Sequence, residues 1–376
     1  MPALHFIRII LVICACLSGS PAALAQEKPV KPESPVQRQQ KEKIEEQEGT
    51  IRVNTELISI DVAVSDRAGM RGAPMLAAEE FTVYENGVRQ QVSNFSATEV
   101  PFNVVLLIDT SGSTSEDLAI IRRAARRFLT ELRPQDRVAV VAFHEQVELL
   151  EDLTSDRAKI EQALEKLPSG TGSAVYDALQ LSLDEVFKKV QGRKAIIALT
   201  DGVDSFGFHT YEDLLPEVER SNATLYFLEV NTEAFTEAGL LRECYDDKHF
   251  EFSEKQLKKY YTEARVKPRE QRIQFNRHCL IPKDERKQMN QQLYESARRE
   301  MRVIAEKTGG EVYAVKDLKQ LEPAYARIAA ELRTQYSIAY YPSNDKRDGS
   351  WRKLRVEVRR KGWVAKTRPG YRAPKD

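Results

Sequence analysis

The chain has 376 residues, enough for a full α/β core with smaller modules attached and too many for one small domain. Its 57 lysines and arginines balance 57 aspartates and glutamates, which excludes the strong basic field of a general nucleic-acid binder and the acidic field of a solvating chain. Two local basic runs, Lys255 to Arg302 and Lys346 to Lys375, read as solvated faces: acidic residues interrupt the first and strand-like alternation spaces the second.

At the start of the chain, His5 and Arg8 precede the apolar run Ile9 to Leu17 and small residues ending in Ala23-Leu24-Ala25. This is the pattern of a secretory signal peptide over residues 1–25, cleaved after Ala25, and it predicts a secreted or periplasmic protein. The run falls short of the roughly 20 apolar residues that cross a bilayer, and no later stretch reaches that length. Cys14-Ala15-Cys16 makes a poor lipidation site. Cys244 and Cys279 remain in the mature chain. An even count in an oxidising compartment predicts a disulfide between them, with two unpaired thiols as the alternative.

Residues 26–50, rich in Pro, Gln, Glu and Lys, read as a disordered linker. A β-module follows over residues 51–98. Ile58, Ile60, Val62 and Val64 alternate with polar residues, and Phe81 to Tyr84 leads through Glu85-Asn86-Gly87 into a strand predicted from Val88 to Phe95. Phe102 to Ile108 is instead continuously apolar, the habit of a strand covered on both faces. Helix-like and strand-like segments then alternate as far as Val230, which predicts a doubly wound, mostly parallel sheet with crossover helices. Residues from about 233 to 292 break the rhythm. They are charged, without a clear apolar face, and read as an insertion. A helix from Gln292 to Lys307, the stop Gly309-Gly310, a short strand and a helix to Leu332 resume the pattern. The tail, 336–376, is again β-rich and is expected to pair with the 51–98 module.

Ligands of an open parallel sheet bind beyond the carboxyl ends of its strands. There the sequence places Asp109-Thr110-Ser111-Gly112-Ser113 after one strand and Thr200-Asp201-Gly202 after another. Between them, Ser169-Gly170-Thr171-Gly172-Ser173 opens a helix expected from Ala174 to Val190. The donors offered are oxygens, suited to a hard cation: Mg2+ first, with Mn2+ or Ca2+ using similar sets.

Asp109-x-Ser111-x-Ser113, a later hydroxyl before Ala174-Val175-Tyr176-Asp177 and Thr200-Asp201-Gly202 together resemble the metal-ion-dependent adhesion site of von Willebrand factor type A (VWA) domains. The resemblance implies a VWA domain over residues 99–335, with Ser111 and Ser113 as direct oxygen donors and Asp109 and Asp201 acting largely through water. Related sequences commonly carry threonine where the count back from Tyr176-Asp177 puts Ser173; Thr171 competes for that role, and the alternative use of Ser173 is a helix N-cap. Asp177 and Asp204 are expected to be structural. Glu80 to Gly87 and Arg368-Pro369-Gly370-Tyr371 resemble flanking segments of exported bacterial VWA proteins.

These features predict a cation-dependent protein-binding module, for adhesion or scaffolding, whose partner completes the Mg2+ shell with an aspartate or glutamate. They predict no enzyme. The competing reading is a metal-dependent hydrolase of phosphate or ester substrates. It lacks a nucleophile elbow or a phosphate-binding Gly-Lys-Ser/Thr, and His144, which follows a strand and could serve as a base, reads more simply as a surface or packing residue. A third reading puts the partner contact on the insertion.

Overall fold

Phe102–Asp109 (β5) is buried along its whole length because it lies inside a sheet covered on both faces. The structure is a computed structural model, described here for residues 57–66, 75–96, 101–114, 117–246, 248–263 and 280–375. The signal-peptide, linker and Cys279 expectations fall outside those residues. Around β5 lie Arg137–Phe143 (β6), Val147–Thr154 (β7), Arg193–Thr200 (β8), Ala223–Val230 (β9) and Val312–Val315 (β10). The sheet order is β10-β9-β8-β5-β6-β7. All neighbours run parallel except β7, an antiparallel edge strand on β6.

Alternate β5 residues point to opposite faces. Val104, Leu106 and Ile108 pack against Leu118–Glu131 (α1), Arg157–Glu165 (α2) and Leu321–Arg333 (α8). Val105 and Leu107 meet Val175–Leu181 (α3), Tyr211–Arg220 (α4) and Lys283–Thr308 (α7). This is the predicted doubly wound α/β layering. The helix expected from Ala174 to Val190 is shorter: α3 loosens into a π turn over Ser182–Val186.

The insertion differs from its sequence reading. It contains Glu233–Leu240 (α5), Glu254–Glu263 (α6) and the first turns of α7, which begins at Lys283 rather than near Gln292. Leu240, Phe252, Leu257, Tyr260, Tyr261, Ile281, Met289 and Leu293 form a buried cluster of their own. Scattered over α5, α6, the start of α7 and the segments between them, among charged residues, they give no long periodic stripe in the sequence. Cys244, in this region, is disulfide-bonded.

The flanking segments build two antiparallel four-stranded sheets that share one core. Ile58–Asp66 (β1), Val92–Ser96 (β4), Gln335–Tyr340 (β11) and Trp363–Lys366 (β13) form one, in the order β13-β1-β11-β4. Phe81–Glu85 (β2), Val88–Gln90 (β3), Trp351–Val358 (β12) and Gly370–Arg372 (β14) form the other, in the order β14-β12-β2-β3. The tail pairs with the first module in both, as β1 with β11 and β2 with β12. The single strand expected from Val88 to Phe95 is in fact two, broken at Gln91, with β3 in one sheet and β4 in the other.

This pairing explains the two flanking motifs. Asn86 and Gly87 both have positive φ, the signature of a tight hairpin turn. Glu85, 2% exposed, accepts hydrogen bonds from the hydroxyls of Tyr340 (2.7 Å) and Tyr371 (2.8 Å). Gly370 lies against the Arg352 carbonyl, where a Cβ has no room. Arg368 donates to the carbonyls of Ser59 on β1 and Ser221 after α4, both at 3.1 Å, tying the sandwich to the α/β layer.

Candidate cation site

β5 and β8 are parallel neighbours, with Ile108 opposite Leu199, so the residues that follow them emerge side by side at the carboxyl edge of the sheet. Asp109 is fully buried. One of its oxygens accepts the Ser111 N–H at 3.0 Å, while the Thr114 hydroxyl donates to the carbonyls of Asp109 (2.9 Å) and Ser111 (3.0 Å), closing the turn. The hydroxyls of Ser111 and Ser113 lie 3.2 Å apart on that turn.

β8 ends on Thr200, whose hydroxyl donates to the second Asp109 oxygen at 2.7 Å and accepts the Gly202 N–H at 2.9 Å. Gly202 turns with φ 78°, and a Cβ there would stand 2.8 Å from Met301. Asp201 follows, 6% exposed. One oxygen takes the Val203 N–H at 2.9 Å; the other accepts from Thr232 and, at 3.2 Å, from Tyr294 of α7.

The third loop supplies Ser173, whose hydroxyl donates to the same Asp109 oxygen at 3.2 Å. Ala174 holds the N-cap position of α3 without a side-chain bond, so the Ser173 hydroxyl is turned to Asp109 rather than to capping. Thr171 is exposed, and its N–H donates to Glu145 at 2.8 Å. Thus Asp109 gathers Ser111, Thr200 and Ser173 from three loops, while Thr171 stays outside that hydrogen-bonded group.

Residues 104–203 match the family model of the von Willebrand factor type A domain. This segment is a distant VWA homologue. The chain is similar to the protein sll0103 of Synechocystis sp. (strain ATCC 27184 / PCC 6803 / Kazusa), 31% identical over 112 residues, which is 29% of this chain and 27% of that protein. It is also similar to YfbK of Escherichia coli (strain K12), 28% identical over 149 residues, 37% of this chain and 26% of that protein. The chain therefore spans about a quarter of the length of both. Among solved structures, a von Willebrand factor type A protein from Catenulispora acidiphila aligns at 13% identity, covering 86% of this chain and 76% of that one, with a TM-score of 0.42.

Burial and mutual repulsion perturb both carboxyls of these loops. Burial, then the nearby Asp201 charge, push the Asp109 carboxyl up to about 7 despite the hydrogen bonds from Ser111 and Thr200. Burial also raises Asp201, against the bonds from Thr232, Val203 and Tyr294. Two buried carboxylates that repel each other gain most from a positive ion between them. Among the described residues no group of three or more His, Cys, Asp and Glu side chains is gathered to hold a metal. The polar groups of these loops are two carboxylates and serine hydroxyls, oxygens of the kind a hard ion prefers.

Neighbouring polar residues have other duties. Asp177 accepts the N–H groups of Phe208 and His209, and Asp204 pairs with Lys255 of α6. The His144 ring accepts the Gln146 N–H at 3.2 Å and faces Glu148 at 3.4 Å with its other nitrogen. Sequence reasoning missed four contributors. Thr200 stood within the Thr-Asp-Gly motif and was legible there; Thr232, Tyr294 and Glu145 carry no local signal.

Glu145 fastens the third loop, accepting from Thr171 at 2.8 Å and Gly172 at 3.2 Å. Burial works to raise its carboxyl, but these backbone N–H groups and its own, with His144, outweigh it and hold the group at about 2, below its ordinary 4.5. Its stabilisation is therefore complete above about pH 4.5 and fades as pH falls towards 2. Glu145→Ala is expected to speed amide exchange at Thr171 and Gly172 roughly tenfold and to remove that acid dependence. Unchanged protection measured by NMR would show that the loop does not rely on Glu145.

Proposed function

We propose that this chain is a divalent-cation-dependent protein-binding module of the cell envelope or exterior, serving adhesion or scaffolding. Asp109, Ser111, Ser113, Ser173 and Asp201 would hold Mg2+. The observation that carries this reading is the convergence of Ser173 and Thr200 on Asp109 beside a second buried carboxylate, Asp201. The serine hydroxyls contribute neutral oxygens, and the aspartates supply the charge. An aspartate or glutamate of the partner would add its oxygens to those of the chain around the ion, so contact would be lost with the ion. Export follows from the residue 1–25 pattern; no helix among the described residues is long and apolar enough to cross a membrane.

Calorimetric titration of the metal-stripped chain with MgCl2 and MnCl2 tests the cation. The expected result is one saturable site and, in its presence, capture of a labelled aspartate-containing peptide that chelator reverses without unfolding the chain. Absence of saturable binding by either ion sinks the reading.

A further inference from the structure

Beside the cation loops runs an open groove of about 740 Å3. The turn after β6 forms one wall with Glu145, and the segment with Phe206 and Phe208 forms the other. α3 with its π turn lies along the base, from Ala174 and Asp177 to Asp184 and Glu185. Ala174 directly follows Ser173, so the groove starts at the Asp109 cluster. Two properties mark it as a binding surface. Phe208 is 95% exposed and Phe206 43%, an aromatic pair left in water at the rim. The charged lining is acidic, with no lysine or arginine among the described lining residues, and its one histidine, His209, is engaged by Asp177 at 2.8 Å.

The acidic residues differ in what they have left to offer. Glu145 uses one oxygen, and Asp177 both, to accept from loop N–H groups. Asp184 and Glu185, at the far end, are exposed. From Ala174 to Glu185 the helical rise covers roughly 16 Å, the reach of about five residues of extended chain.

We propose that this groove receives the partner segment that follows the cation-binding carboxylate. The segment places an apolar side chain against Phe206 and Phe208 and a lysine or arginine pair against Asp184 and Glu185, about five residues from its aspartate or glutamate. This deepens, and rests on, the cation-dependent binding reading. It makes the partner's recognition element amphoteric: a carboxylate for the ion, then a cationic, partly apolar stretch for the groove. An acidic stretch at that spacing is repelled, which gives the site selectivity among the many carboxylates it meets.

Fluorescence anisotropy with the full chain tests this. The probes are dye-labelled peptides with one aspartate, a leucine midway, and an Arg-Arg, Gln-Gln or Glu-Glu pair about five residues on. In Mg2+ the Arg-Arg probe is expected to bind roughly fivefold more tightly than Gln-Gln, with Glu-Glu weakest. The spread should narrow between about 50 and about 500 mM NaCl. Charge reversal by Asp184→Lys with Glu185→Lys, at exposed positions that leave folding intact, should invert the order, and Phe208→Ala should weaken all three. Equal binding of the probes, an order that survives charge reversal, or no binding by any probe overturns the groove proposal. If the charge order holds while neither Mg2+ nor the probe's aspartate affects affinity, the groove stands and the cation reading fails.

Discussion

Asp109→Asn is expected to abolish the Mg2+-induced rise in melting temperature while leaving the chelated protein as stable as the wild type or more so. At a hundredfold excess of Mg2+ over its Kd, binding to the folded state adds about 2.7 kcal/mol, which for a segment of this size is a rise of roughly 5–10 °C. Asparagine keeps the geometry. Its oxygen still accepts the Ser111 N–H, and the hydroxyls of Thr200 and Ser173 rotate to accept from its amide instead of donating. What it removes is one of two mutually repelling buried charges, so the metal-free fold gains while the ion loses its main attraction. Affinity for a cation-dependent partner should fall roughly a hundredfold. Differential scanning calorimetry with Mg2+ and with chelator separates the two effects. A variant that melts lower in chelator and keeps its Mg2+ increment would mean that Asp109 is a structural carboxylate and nothing more.

The other large effect is expected far from the loops, at Glu85. Its carboxylate accepts from Tyr340 of β11 and Tyr371 of β14, so one side chain on β2 joins both sheets of the sandwich. Glu85→Ala leaves two tyrosine hydroxyls buried without that acceptor and opens a cavity between the sheets. Each lost bond to a carboxylate costs about 1.5–3 kcal/mol, so roughly 3–6 kcal/mol is expected in urea unfolding of the sandwich. Glu85→Gln keeps an acceptor and should cost well under half of that. Combining Glu85→Ala with Tyr340→Phe and Tyr371→Phe should recover part of the loss, because no hydroxyl is then stranded. A cost below about 1 kcal/mol for Glu85→Ala would show that water replaces the carboxylate and that the two flanking motifs are not joined energetically here.

The two experiments probe residues whose positions were legible to different degrees. The placement of Asp109, Ser111, Ser113 and Asp201 at one sheet edge could be read from the sequence because they follow apolar strands, and a parallel sheet sends such ends to one edge. The α/β layering was legible for the same reason: a continuous run such as Phe102–Asp109 is buried on both faces wherever it lies in the chain. Glu85, by contrast, stood in a recognisable segment, but nothing local disclosed that its partners lie 255 and 286 residues away.

Sequence by itself thus determined the doubly wound sheet, the order of its elements and the three hydroxyl- and carboxylate-bearing loops, because hydrophobic period and strand-end position are local properties. Tertiary structure decided the remainder. The choice of Ser173 over Thr171 to face Asp109 depends on Glu145 pulling the loop's N–H groups outward and on Ala174 taking the N-cap. The hold of Thr232 and Tyr294 on Asp201 depends on how the end of β9 and the helix α7 come to lie beside the loop after β8. The break at Gln91 between two sheets depends on β11 and β2 competing for neighbouring segments. Each is a contact between residues distant in the chain, whose free energy exists only once the chain has closed around it.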